Sequence, residues 1–351
     1  MEIKVSNYKS VGKVQMKLGR VTVLLGPPAA GKSNVLEAVA LATYFDRLAL
    51  YSDVEPLSKL VRTDDVRGLF LRYDATKAVE VGVDGGGWRR SLRIYFQRGL
   101  RLELNGADVP IAPSSRLPQF LYNGIGYEIA DRAKLLEALG EGIAARLYGF
   151  DRFKGDIVGA MVAGAEAETP PDLLREDGKN FGAAAKRHLE VFRDVNAELK
   201  ELSQVEINLL DDGRVVVFDG YTVERPPDSL LRVLYYLIGL SSLASFAKLR
   251  GLEGRAIALL EEPEVHPRFL HLLVRYVERF SEAGYAVITT HNPILVSLLR
   301  DKLNVALYYV YRGDGGLTEV AELDKDKMAE ELVTAEDIIF MKPKEVLRFK
   351  Q

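Results

Sequence analysis

Along the first fifty residues the apolar positions change spacing in an order that predicts strand, loop and helix. MEIKV and VTVLL are β-rich runs, and the second, Val21 to Leu25, is apolar throughout, as a parallel strand buried on both faces would be. A Gly-rich turn follows. From Lys32 to Leu50 the apolar side chains of Val35, Leu36, Val39 and Ala40, with Thr43 in the same stripe, repeat at the spacing of a helix. Between Leu69 and Leu104 the period shortens to two: LFLRYD, AVEVGVDGGG, RRSLRIYF and LRLELNG alternate polar and apolar residues around Gly and Asn-Gly turns, which predicts an antiparallel meander.

From about Ile129 to Ser203 the pattern turns helical. Leu135, Leu136, Leu139, Ile143 and Leu147 predict one amphipathic helix, and Leu189, Phe192, Leu199 and Leu202 another, with chain rich in Gly, Ala and Pro between them. This reads as an inserted helical subdomain. Beyond it, GRVVVFDGYTVE predicts a hairpin and Ser229 to Phe246 a long apolar helix opened by Pro-Pro-Asp-Ser. AIALLEE, AVITTH and NVALYYV predict three buried strands separated by helical segments. The last thirty or so residues are charged and predicted helical.

Composition narrows the classes. The 351 residues are enough for one large domain or two ordinary ones. Lys+Arg 47 against Asp+Glu 50 gives a formal charge of -3, so an electrostatic partner must be met by a local patch. Cysteine is absent, which excludes disulfide scaffolds, thiol catalysis, iron–sulfur clusters and thiolate zinc sites. The opening MEIKVSNYKS has no apolar signal-like run, and Val233 to Ala247 is too short to span a bilayer. The expectation is a soluble, cytoplasmic chain with no membrane partner, and the scarcity of Gln points to a thermophile.

Three motifs carry chemistry. Gly26-Pro27-Pro28-Ala29-Ala30-Gly31-Lys32-Ser33 fits GxxxxGK[ST] between a buried strand and a helix start. Backbone N–H groups of such a loop and of the first helical turn converge on phosphate oxygens, aided by the positive end of the helix dipole. Gly26, Ala30, Gly31, Lys32, Ser33 and Asn34 are the nucleotide-binding candidates, Lys32 for the β/γ-phosphates and the Ser33 hydroxyl for Mg²⁺. Pro28 has no N–H to give. Second, Ile257 to Glu264 is an apolar strand ending in Glu261-Glu262-Pro263-Glu264; one carboxylate suits the Mg²⁺ shell and the next suits orienting or deprotonating water. Third, AVITTHNP places His291 at the end of the following strand, where it can donate to a γ-phosphate. His266 and His271 lack such placement and read as packing or solvent residues.

The order of these motifs resembles a known group. NYKSVGKVQMKLGRVTVLLGPPAAGKSNVLEAVALA, LLEEPEVHP and VITTHNP look like the ABC-type ATPase heads of the RecF, SMC and OLD relatives, particularly the stand-alone AAA-like ATPases of archaea and bacteria, and REDGKNFGAAAKRH is similar to a segment of that last group. The resemblance implies an α/β P-loop NTPase head with a mixed sheet, an antiparallel meander lobe and an inserted helical subdomain. The implied divisions are 1-128 for the first half of the head, 129-204 for the helical insertion, 205-322 for the second half and 323-351 for a charged helical tail. It implies ATP and Mg²⁺ as cofactors and a homodimer formed around two ATP molecules, each site completed by the other copy's signature helix. By motif position Glu261 stands where Asp is usual and serves the metal with Ser33, Glu262 is the catalytic glutamate, His291 the switch histidine, and Lys9, with Ser10, the basic residue near the nucleotide. In place of an LSxG-like signature the chain has Arg225 to Arg232, in which Ser229 either contacts the other copy's γ-phosphate or joins Asp228 in capping the helix. Gln119 is a candidate Q-loop residue.

The inserted segment is too short for a long coiled coil, and the sixty residues after His291 are too few for an OLD-type nuclease, so a nuclease would be a separate chain. Trp88, Arg89, Arg90, Arg93, Tyr95, Arg98 and Arg101 form either a phosphate-tracking patch or, as alternating strands favour, a solvated face. Two function classes stay open: an ATP-switched dimeric ATPase of DNA repair, genome maintenance or defence acting on DNA or through a nuclease, and a nucleotide-controlled protein-interaction switch without DNA. A transporter ATPase and a P-loop kinase fit less well.

Overall fold

The structure, a computed structural model, describes residues 1–50, 57–114, 120–122, 124–164, 173–203, 205–302 and 304–351. The chain divides into two compact units, Met1–Ala145 with Val305–Gln351, and Arg146–Asn304. These divisions differ from the boundaries expected at 129 and 205.

The first unit begins with β1 (Glu2–Tyr8) and β2 (Val11–Lys17), then β3 (Val21–Leu25) and α1 (Lys32–Ala42). The helix expected to run to Leu50 stops at Thr43, and α2 (Tyr44–Leu50) and α3 (Leu57–Val61) follow. LFLRYD is not a strand. Val66–Leu69 and Leu71–Tyr73 are 3-10 turns, and Arg72 and Tyr73 have φ of 52° and 60°, which an extended strand does not accommodate. The meander is β4 (Val79–Asp84), β5 (Arg89–Phe96) and β6 (Leu100–Leu104), continued by β7 (Ala107–Asp108). A small sheet of β8 (Ile111–Pro113), β9 (Phe120–Tyr122) and β10 (Ile125–Ile129) precedes α4 (Arg132–Leu139).

The second unit is entered through β11 (Ala144–Tyr148) and holds α5 (Lys154–Ala163), α6 (Phe181–Lys186), α7 (Leu189–Leu202), β12 (Glu206–Leu209), β13 (Val215–Phe218) and β14 (Val223–Glu224). It continues with α8 (Asp228–Leu249), β15 (Ala256–Glu261), α9 (Leu270–Ala283), β16 (Gly284–Thr289) and α10 (Pro293–Lys302). The chain then returns to the first unit with β17 (Val305–Arg312), β18 (Thr318–Glu322) and the short helices α11 (Lys325–Glu330), α12 (Ala335–Phe340) and α13 (Pro343–Val346).

In the first unit the strands run β3-β17-β18-β2-β1-β4-β5-β6-β7. β3 and β17 are parallel with Val23 opposite Leu307, whereas β1, β2, β4, β5 and β6 pair antiparallel. The meander alternates as expected: Val79, Val81, Val83, Leu92, Ile94, Leu102 and Leu104 are buried on one face. Arg90 lies on that buried face too. Its Nη2 and Nε reach Asp46 Oδ1 and Oδ2 at 2.6 and 3.0 Å, its remaining donors go to the carbonyls of Leu139 and Glu141, and the amide of Ile143 donates to Asp46 Oδ1 at 2.9 Å. The pair and its partners close a fully buried polar cluster.

In the second unit β11, β15 and β16 are neighbours, β15 and β16 parallel with Glu261 opposite Thr289. The expected helix from Leu135 to Leu147 is corrected: α4 ends at Leu139 because Gly140 turns the chain at φ 60°, and Ala144–Tyr148 is a strand buried at every position. Burial of consecutive residues suits a strand covered on both faces and not a one-sided helix. The segment 129–204 is therefore not wholly helical. The hairpin β13–β14 forms where expected, extended by β12. Among the described helices α8 is the one long and apolar enough to cross a membrane, and 78% of its apolar window is buried within the protein.

Candidate functional site

The loop of residues 26–33 belongs to the first unit. β3 delivers the chain to Gly26, and α1 starts at Lys32 with Gly31 as N-cap at φ 106°, ψ 14°. Among the described residues no side chain caps this end, and no acidic residue sits in the first turn of α1. Lys32 is 5% exposed and folds back on the loop, its Nζ donating to the carbonyls of Gly26 at 2.9 Å and Pro27 at 3.1 Å.

Behind the loop, three residues fix its shape. Thr318 Oγ1, at the start of β18, donates to Ala30 O at 2.9 Å and lies 2.7 Å from Ser10 Oγ; Asn34 Nδ2 donates to Ser10 Oγ at 2.6 Å. Asn34 is thus committed to the scaffold side of the loop. Ser33 is half-buried at the second position of α1. Lys9 does not stand open to a ligand. Its Nζ pairs with the fully buried Glu37 carboxylate of α1 at 2.5 Å and donates to Val61 O, while Arg62 holds the other oxygen of Glu37 at 2.6 Å. The nucleotide role expected for Lys9 would require that pair to open.

The acidic turn at residues 261–264 belongs to the second unit. Glu261 closes β15 and Glu262 follows it at φ 44°, a left-handed conformation that costs a non-glycine residue about 1–3 kcal/mol. The Glu262 amide donates to Thr289 O at 3.0 Å, which holds the strained residue against the end of β16. His291 Nε2 lies 3.3 Å from Glu262 Oε1. With the proton on Nε2, the histidine donates to this carboxylate and orients it. Glu264 organises the same turn: its Oε1 accepts from Thr290 Oγ1 at 2.7 Å and from the His291 amide at 3.2 Å. Glu264 and Thr290 carry no motif position, and only the third acid of Glu261-Glu262-Pro263-Glu264 signalled them.

Glu261 is differently engaged. Arg152 Nε and Nη2 both sit 2.7 Å from its Oε2, and Tyr236 Oη of α8 donates to its backbone carbonyl at 2.8 Å. Among the described residues no group of three or more His, Cys, Asp or Glu side chains could hold a metal by itself. The Ser33 hydroxyl and the Glu261 carboxylate are each a hard oxygen donor, the type of ligand that suits Mg²⁺.

Ser229 is exposed at the second position of α8, and the N-cap is Pro227 with no side-chain cap bond, so the Asp/Ser capping alternative is not what the helix uses. Asp228 instead pairs with Lys154 at 2.8 Å and Arg225 at 3.3 Å. Arg232 makes a two-pronged pair with Asp151, at 2.8 and 2.5 Å. Gln119 lies outside the described residues. His266 caps a 3-10 turn by accepting from the Arg268 amide, and His271 is exposed. The arginine patch is corrected: Arg90 is buried, Arg93 sits between Glu80 at 3.3 Å and Glu103 at 3.5 Å, and Arg101 is 3.9 Å from Asp108.

No protein-family model matches the chain, and no curated protein does. Solved structures do. An SMC head bound to the C-winged-helix domain of ScpA is 14% identical over 93% of this chain and 98% of that one, with a TM-score of 0.55. An SMC head with an extended coiled coil, bound to the C-terminal domain of ScpA derived from Pyrococcus furiosus, is 13% identical over 94% of this chain and 98% of that one, with a TM-score of 0.51. The fold is similar to that of these SMC heads.

Proposed function

We propose, from the premise of an SMC-head fold, that this chain binds ATP with Mg²⁺, hydrolyses it and dimerises on ATP, acting as a molecular switch. The observation that carries the reading is the 3.3 Å contact between His291 and Glu262 on a strained turn at the ends of two parallel strands. A protein that only stored a nucleotide would need the phosphate loop alone. A carboxylate oriented by an imidazole adds a group able to take a proton from water and another able to donate to a γ-phosphate. Lys32 and the first turn of α1 would bind the phosphates and Ser33 would hold the Mg²⁺, whose charge would offset that of the phosphates, with Glu261 serving the metal only as far as its pairing with Arg152 allows. Ser229, exposed at the start of α8, reaches the γ-phosphate held by a second copy. DNA repair, genome maintenance or defence, with DNA or a separate nuclease as partner, is the role this reading assigns.

Calorimetry and turnover test it together. Lys32→Ala should lose most ATP affinity, and Glu262→Gln should bind ATP as the wild type does while losing most hydrolysis. Unchanged affinity in the first, or wild-type turnover in the second, overturns the reading.

A second reading, a protein-interaction switch that does not touch DNA, is favoured by the burial of Arg90 against Asp46 and the pairing of Arg93 and Arg101 with acids, which offsets the charge of these three cations. The two similar heads are described in complexes with a ScpA domain, which supports a protein effector here as well. DNA affinity measured against salt separates the two: a steep loss with salt supports direct binding, and no binding at low salt supports the effector.

A further inference from the structure

The residue that governs Glu261 is Arg152, which no motif singles out. Arg152 lies in the turn after β11, the strand beside β15. Its guanidinium places two donors on one oxygen of Glu261, and the side chains are only 4% and 10% exposed. The turn is built around this contact. The Phe150 amide donates to Tyr236 Oη at 3.1 Å, and the same hydroxyl donates to the backbone of Glu261. Asp151 is held by Arg232 of α8, and Phe153 N donates to Gly149 O at 3.3 Å. Gly149 leaves the room: a Cβ there would come within 2.9 Å of Glu261 Oε2 and 3.4 Å of Arg152 Cβ. Both the loop and the end of β15 are thus fixed, by backbone and by side chain, in the arrangement that brings the ions together.

We propose that Arg152 is a positioning residue that supplies Glu261 with a built-in counter-cation, so that the divalent ion of the nucleotide gains little from this carboxylate while the guanidinium stays. The inference rests on the ATPase reading. A guanidinium stays charged at any working pH, and in a site this buried it satisfies the carboxylate that a divalent ion would otherwise neutralise. Two cations on one carboxylate repel each other, so each weakens the hold of the other.

The test is a ratio: the ATP dissociation constant in EDTA divided by that in Mn²⁺, measured by calorimetry in the Glu262→Gln background so that no ATP is consumed. Adding Arg152→Gln should raise the ratio at least tenfold, because Glu261 is released to the metal, and Arg152→Lys should keep it within threefold of the parent. If Arg152→Gln does not fold, Glu261→Gln serves instead and should leave the ratio within threefold. ATP binding with an unchanged ratio in Arg152→Gln, or a tenfold collapse in Glu261→Gln, overturns the proposal while the ATPase reading stands. Absence of ATP binding in both buffers, in the parent protein, overturns that reading and the proposal with it.

Discussion

Replacing Gly31 by alanine tests how the phosphate loop is held. Gly31 sits at φ 106°, and an added Cβ would lie 2.1 Å from Thr318 Oγ1 and 2.9 Å from its Cγ2. Thr318 is 1% exposed and cannot swing into solvent. Two costs follow. The backbone conformation costs a residue with a side chain about 1–3 kcal/mol. Displacing Thr318 breaks its bonds to Ala30 O and Ser10 Oγ, each contributing about 0.5–1.5 kcal/mol. The sum, about 2–6 kcal/mol, is a large part of a total stability of about 5–15 kcal/mol. Thr318→Ala alone should cost about 1–3 kcal/mol for the same two bonds. In the double variant the clashing atoms are gone, so Gly31→Ala adds only its backbone cost, and the pair should fall short of additivity by about 1–3 kcal/mol. Urea denaturation followed by circular dichroism reads all four proteins. Strict additivity would refute the claim that Thr318 fills the space over Gly31, and a Gly31→Ala cost below about 1 kcal/mol would refute the backbone strain as well.

Two further variants probe other parts of the fold. Arg90→Leu should destabilise by about 3–5 kcal/mol, because it leaves the buried Asp46 carboxylate without its counter-ion, and Arg90→Leu with Asp46→Leu should recover most of that in the same denaturation assay. For assembly, Glu262→Gln should be a dimer with ATP and Mg²⁺ and a monomer with ADP by light scattering on a sizing column. Adding Ser229→Arg should abolish that dimer with ATP affinity unchanged; a dimer indifferent to the arginine would place the interface elsewhere.

The elements that were legible are those whose burial is set locally. β3, β15, β16 and β17 are short apolar runs that must be covered on both faces, and the ends of the first three carry the motif residues, so strand and motif were read together. The β11 strand failed the same reading. AARLY has the apolar content of a helix face extended from Leu135, and what separates it is a chain reversal at Gly140, a single residue with φ 60°. LFLRYD failed in the opposite sense, since its alternation was real but two successive residues at positive φ turned it into 3-10 structure.

At the candidate site, the motif residues were legible and the residues packed around them were not. Lys32, Glu262 and His291 stand out because each sits within a short local motif. Their supports come from far along the chain: Thr318 meets Ala30 across 288 residues and Arg152 meets Glu261 across 109, distances over which no local pattern constrains a partner. Arg90 is the instructive middle case. The period of two that predicts β5 puts Arg90 in phase with Leu92 and Ile94, so the alternation itself assigns it to the buried face. A buried guanidinium must find a carboxylate, which turns a surface-patch reading into a search for an acid on a neighbouring apolar element. Asp46, buried among the apolar residues of α2, is that acid. The same reasoning applied to the second unit asks which cation answers the nearly buried Glu261, and Arg152 is the answer the fold supplies.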